Sequence, residues 1–200
     1  MKSLAINKLS HYPDLLLTLT RIERSIQAYP SKVLYLSTYL KLESLSNPSN
    51  TLELPIFKLT LSFISYVSLE KILESLTTFE TRKLWDLNLV SLTEKEGLVH
   101  STFQYSIYQA EFFEDLSLFT HEEKAGILLK SSSEGFGGDE KFVRPKTLFS
   151  LYSVKENDGN SIIEIFFKID PKTFLASVVV DVVQDKILIW AESFFKHLNS

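Results

Sequence analysis

Four histidines, His11, His100, His121 and His197, give this chain its widest chemical reach. A helical metal site needs ligands three or four residues apart on one face. His121 meets Lys124 and Ala125 at those spacings, so His121-Glu122-Glu123 reads as the first turn of a solvated helix. Glu111, Glu114 and Asp115, with Glu122 and Glu123, form an acidic group. Such a group suits a hard cation, a solvated face or a surface that docks a basic partner. Asp170, Asp181 and Asp185 fall at expected strand ends and turns, without the spacing of a nuclease motif. Glu134-Gly135-Phe136-Gly137-Gly138-Asp139 has the glycines of a phosphate loop. The next residues, Glu140-Lys141-Phe142-Val143-Arg144-Pro145, do not start a helix, so the segment reads as a linker. No G-x-S-x-G elbow occurs. Cysteine is absent, which removes a thiol nucleophile, a disulfide framework and thiolate zinc together. No catalytic residue, cofactor or metal ligand is therefore assigned.

The 200 residues are 44% hydrophobic and 23% charged, which fits a folded domain with a real core. Fifteen Phe, eight Tyr and two Trp supply much of the area to bury, and the surplus is compatible with a homodimer. The net charge of −4 is uneven: residues 1–103 hold 11 basic and 10 acidic side chains, and residues 104–200 hold 10 and 15. No segment carries the basic excess of a surface that neutralises phosphates. Asp14, Arg21, Glu23 and Arg24 interrupt any leader-like apolar run, and the apolar uncharged stretch Leu59 to Leu69 is about half a membrane span. A cytoplasmic protein without a membrane partner is expected.

Periodicity gives the elements that would position these residues. Pro13-Asp14 opens a helix with Leu15, Leu16, Leu19, Ile22 and Ile26 on one face, ended by Pro30. Ser31 is a candidate N-cap for a second helix that buries Val33, Leu34, Leu36 and Leu40. Thr51 to Pro55 reads as a short strand, and Ile56 to Phe63 suits helix or strand. Ser68 caps a long helical stripe from Leu69 to Leu87. Leu89 to Thr93 and Leu98 to Phe103 alternate as strands around the turn Glu94-Lys95-Glu96-Gly97. Gln109 to Leu118 reads as a short acidic helix. Leu148 to Val154 and Ile162 to Ile169 read as strands around Glu156-Asn157-Asp158-Gly159-Asn160. Phe174 to Val183 is β-branched, and Ile187 to Leu198 closes the chain as an amphipathic helix.

Over residues 31–103 this order of elements resembles the winged-helix superfamily. The resemblance rests on the phrase from Leu84 to Val99, Leu-Trp-Asp-Leu-Asn-Leu-Val-Ser-Leu-Thr-Glu-Lys-Glu-Gly-Leu-Val, with Asn88 where that family often has Gly. The expected fold is α+β: a helical N-terminal half with a winged-helix-like unit, then a small antiparallel sheet and a C-terminal helix. Residues 1–130 form the first domain, 131–140 a linker, and 141–200 a β-rich subdomain.

The resemblance implies a third helix and a wing that meet DNA, through Arg82, Lys83 and Lys95. The helix Leu69–Trp85 has no net charge, which favours a protein partner instead. The expected function is thus a non-enzymatic adaptor or complex subunit, with Phe112, Phe113 and Trp190 as protein-binding anchors. One alternative is a DNA-binding regulator or replication factor. Another is an enzyme or small-ligand-binding protein with its site in the C-terminal sheet.

Overall fold

Strand alternation, rather than helical spacing, governs most of this chain. The computed structural model describes residues 7–8, 13–50, 53–105, 109–121, 124–132, 142–170 and 176–200. In chain order these form β1 (Asn7–Lys8), α1 (Pro13–Ala28), β2 (Ser31–Leu36), β3 (Leu40–Leu45) and β4 (Ile56–Phe63). Next come α2 (Leu69–Thr77), α3 (Phe79–Lys83), β5 (Leu89–Lys95), β6 (Leu98–Gln104) and β7 (Gln109–His121). The chain ends with β8 (Lys124–Ser131), β9 (Lys146–Asn157), β10 (Asn160–Asp170) and α4 (Ala176–Leu198).

Among the described residues, all ten strands belong to one sheet. Its order is β2-β3-β4-β10-β9-β8-β7-β6-β5, antiparallel throughout, with β1 added parallel to β7. Tight turns make the local hairpins: Glu96 and Gly97 between β5 and β6, and Asp158 and Gly159 between β9 and β10, all have positive φ. The long-range join is β10 against β4, in register from Ser161↔Phe63 to Phe167↔Phe57.

Both faces of the sheet are apolar, so both are covered. The outer face packs on α1, where Leu19 and Ile22 meet Leu128, Leu151 and Phe166. The inner face packs on α2, α3 and α4. α4 buries Ile187, Ala191, Phe194 and Leu198, the three- and four-residue spacing of a one-sided helix. Phe195 stacks on Tyr39 and Phe63, which pins the end of α4 to the tips of β3 and β4.

This architecture overturns the expected fold and the winged-helix resemblance. No helix starts at Ser31: β2 and β3 form a hairpin in which the Leu40 amide donates to the Ser37 hydroxyl at 3.1 Å. The spacing of Val33, Leu34, Leu36 and Leu40 suits a helix only when this turn is overlooked. The phrase from Leu84 to Val99 does contain a helix end and a hairpin, but β5 and β6 continue through β7 into the large sheet. The acidic segment Gln109 to Leu118 is part of β7. Its Ala110, Phe112, Leu116 and Leu118 fit two-residue alternation better than a helical stripe. The β-branched run before Val183 lies in α4 from Ala176 onward, so strand propensity does not decide its conformation. Residues 133–141, which hold most of the expected linker, lie outside the described residues.

Two places fix the sheet tightly enough to test. A methyl group added at Gly126 would lie 2.5 Å from the Tyr152 carbonyl oxygen and closer still to the Phe119 ring. Gly126→Ala is expected to lower unfolding free energy by about 1–3 kcal/mol through overpacking, read by urea denaturation. On the outer side, the Glu53 carboxylate accepts hydrogen bonds from Lys168, from Asn47 Nδ2 at 2.8 Å and from the Tyr29 hydroxyl at 3.1 Å. The Lys168 hydrogen bond above all holds the Glu53 carboxyl down at about 2, against an ordinary 4.5. A depressed acid stabilises the fold above its unfolded pKa and loses that contribution as pH falls through the folded value. Glu53→Gln is therefore expected to cost about 1 kcal/mol at neutral pH. The difference from wild type should close between pH 4.5 and about 2, as followed by thermal unfolding against pH.

Candidate ligand site on the inner face of the sheet

The inner face divides into an apolar part and a polar part. Leu118, Ile127, Tyr152, Ile165, Leu59 and Leu42 stand in one row across β7, β8, β9, β10, β4 and β3. All six are buried, and the Tyr152 hydroxyl is the only polar group among their side chains. Two rows away the face changes character. Glu114 sits between Val99 on β6 and Ser131 on β8. The Ser131 hydroxyl accepts the Thr147 amide at 2.8 Å. The β9–β10 ladder slips between Lys168 and Ile169 and skips Leu148. A bulge of this kind re-aims a side chain, and it turns Thr147 toward Glu114.

Burial makes these polar groups costly. Glu114 is 8% exposed, and desolvation pushes its carboxyl above the ordinary value. The Thr147 hydroxyl opposes that shift, and so, to a lesser degree, does the Arg82 charge. Burial also raises the Tyr152 phenol. The Trp85 indole Nε1, the Ser101 hydroxyl and the Thr147 hydroxyl are buried with no hydrogen-bond partner among the described residues. Each such orphan costs about 1–3 kcal/mol. Buried polar groups in native proteins are otherwise satisfied nearly everywhere, so a cluster of exceptions calls for a cause.

The other buried carboxylates are satisfied. Glu43 meets Lys41 at 3.0 Å and Asp86 meets Arg82 at 3.4 Å. Glu111 meets both His100 and Arg144 at 3.0 Å. Among the described residues Glu114 is the one buried carboxylate with no basic side chain in ion-pair range. The expected acidic cluster is thus split by strand alternation. Glu111 lies on the outer face, Glu114 on the inner face, and Asp115 is exposed. Glu122, Glu123 and the side chain of His121 lie outside the described residues, as does the glycine segment 134–139. Asp170 ends β10 and Asp185 is exposed on α4, while the side chain of Asp181 is outside the described residues.

The residues singled out for DNA contact do not share a surface. Arg82 points inward: it donates to the Leu76 carbonyl at 3.1 Å and lies over the rings of Phe103 and Trp85. Lys83 donates to the carbonyl oxygens of Leu87 and Leu89 at the start of β5, and Lys95 stands exposed at the other end of that strand. Of the expected protein anchors, Phe112 packs edge-on to Phe103 in the inner core. Phe113 stacks on His100 across the outer face. Trp190 stacks on Phe194 and meets Trp85 edge-on. Glu114, Tyr152, Ser101 and Thr147 carried no local signal that would have grouped them.

At the far end of α4 a cleft of about 420 Å³ opens between Tyr39, Phe63, Phe195 and the tips of β4 and β10. Its lining mixes these rings with the hydroxyls and amides of Thr38, Ser62, Asn160 and Asn199, and holds no acid or base beyond the Tyr39 phenol.

A long antiparallel sheet closed on its inner face by a C-terminal helix is the fold of the StAR-related lipid transfer proteins. Human STARD10 superposes with a TM-score of 0.75 at 15% identity, over 89% of this chain and 77% of that one. Human StAR-related lipid transfer protein 5 gives 0.70 at 12%, over 94% and 92%. The lipid transfer and protein localization domain of human StarD13 gives 0.69 at 13%, over 94% and 98%. No protein-family model and no curated protein sequence matches the chain. The fold overturns the adaptor reading, its protein or homodimer partner, and the DNA-binding alternative. The aromatic side chains on which the adaptor reading relied pack within the molecule. Among the described residues no helix is long and apolar enough to cross a membrane.

Arg82→Ala is expected to cost about 3 kcal/mol, because it leaves Asp86 as an uncompensated buried charge. Chemical denaturation of the variant checks this, and a surface arginine would show almost no change.

Proposed function

We propose that this chain carries one small, mainly apolar molecule of the lipid class, held between the inner face of the sheet and the helices that cover it. The observation that carries this reading is the set of buried, unsatisfied polar groups at one end of an otherwise apolar face. A ligand site of this type is mostly apolar, with a few placed polar groups that fix orientation. A ligand that meets Ser101, Thr147 and Glu114 would satisfy groups the fold itself leaves open. Two of the structural neighbours carry lipid transfer in their names, which supports the same ligand class. This is the small-ligand alternative of the sequence reading, with the site moved. It lies on a face shared by N-terminal and C-terminal strands rather than in a C-terminal sheet.

The test is solvent extraction of the protein purified from cells, followed by mass spectrometry, beside titration with the neutral fluorophore Nile red. The expected result is one class of apolar molecule near one per chain, and saturable Nile red uptake once it has been removed. Background lipid only, together with no saturable uptake, would rule the reading out.

A further inference from the structure

Among the described residues, the polar end of the inner face holds one acid and no base in ion-pair range of it. Its side chains are the Glu114 carboxyl and the hydroxyls of Ser101, Ser131 and Thr147, with the Tyr152 phenol within electrostatic reach. The cation with an influence on Glu114 is Arg82, and its guanidinium is already engaged by Asp86 and the Leu76 carbonyl. Four other basic side chains on or beside the sheet are committed elsewhere. Lys58 and Lys155 share Glu164, Lys168 takes Glu53 and Arg144 takes Glu111. A phosphate or carboxylate head arriving beside Glu114 would be a buried negative charge with no basic side chain in ion-pair range of that position among the described residues, whether Glu114 is ionised or neutral, which is strongly unfavourable.

Resting on the carrier reading above, we propose that the ligand presents a hydrogen-bond donor without negative charge, a hydroxyl or an amine, to the Glu114 carboxyl, and that anionic heads are refused. Three features of the site support the assignment. Glu114 is more than nine-tenths buried and has no ion-pair partner among the described residues. Ser101 lies one pair along the same face of β6 and β7, opposite Phe112, and Thr147 lies on the β9 side, so two orphan hydroxyls flank the carboxyl. The β9 bulge supplies Thr147 where a regular strand would place Leu148. A hydroxyl brings both a donor and an acceptor, so it matches Glu114 in either protonation state, which suits a carboxyl that burial drives toward its neutral form. An amine would instead supply the cation that the fold withholds.

The experiment is displacement of Nile red by lauryl alcohol, laurylamine and laurate, which share one chain and differ in the head. The wild-type protein, Glu114→Gln and Glu114→Leu are compared, with circular dichroism on each. The alcohol or the amine is expected to displace the probe at about tenfold lower concentration than laurate, the worth of one buried hydrogen bond. The stronger of the two names the head. Glu114→Gln, which keeps an acceptor and a donor, should hold the alcohol's affinity and weaken the amine's. Glu114→Leu should bring the alcohol to within about threefold of laurate. Laurate competing as well as the alcohol and the amine in wild type would overturn the proposal, as would an unchanged ranking in both variants. Either result, with Nile red still bound, leaves the carrier reading standing. No uptake of Nile red by the wild type overturns both.

Discussion

The pairing of β10 with β4 is the constraint on which the rest of the molecule depends. It joins residues 160–170 to residues 56–63, about a hundred positions apart, and so makes one sheet from N-terminal and C-terminal strands. Loop-closure entropy must be offset before such a contact stabilises anything. The residues there are suited to offset it: Ile163 and Ile165 on β10 and Leu59 and Leu61 on β4 are almost wholly buried. Once this ladder forms, the apolar row from β7 to β3 is continuous, and a helix can lie along it. The Ser161 hydroxyl adds a second tie at the same join, because it accepts the Val67 amide at 2.9 Å and so sets the entry to α2.

Packing then decides where chemistry can sit. The edge hairpin of β5 and β6 is held by α3 through Arg82, whose guanidinium lies over Phe103 while its Nη1 reaches a carbonyl at the end of α2. Trp85, in the next turn, meets Trp190 and Phe194 of α4. One short helix thus fastens the sheet edge to the closing helix. The polar patch around Glu114 lies between these fixed points, on strands whose register is set on both sides. Its geometry is imposed mainly by the sheet, with the Thr147 amide tied to the Ser131 hydroxyl, which is the arrangement that preorganised recognition needs.

Hairpins are legible in the sequence and the site is not. The β5–β6 and β9–β10 turns announce themselves because Glu-Gly and Asp-Gly supply the positive φ that tight turns need. α1 and the last turns of α4 show clean helical spacing. β3 and β7 mislead because leucines and phenylalanines crowd both faces of buried strands, so apolar residues also fall three and four apart; β2 misleads because, as an edge strand, it leaves the apolar Val33 and Leu36 exposed. Glu114 looks like a surface acid because it stands among Glu111 and Asp115. Only the pairing with β6 and β8 separates their fates, and no window of sequence contains that pairing. The winged-helix phrase fails in the same way. It describes a hairpin correctly and says nothing of the strand that hairpin would join.

The contrast between Glu111 and Glu114 makes the case for the site without appeal to any other protein. They lie three residues apart on one strand and are equally buried, at 5% and 8% exposure. The fold gives Glu111 two basic partners, one from β6 and one from the segment just before β9. It is therefore able to neutralise a carboxylate on β7. Among the described residues it gives Glu114 none, and sets beside it two hydroxyls without hydrogen-bond partners there. An apolar residue at position 114 would match Val99 and Leu116 and remove the desolvation cost. A buried acid beside orphan hydroxyls, on a face otherwise apolar, is the arrangement on which the proposed ligand site rests.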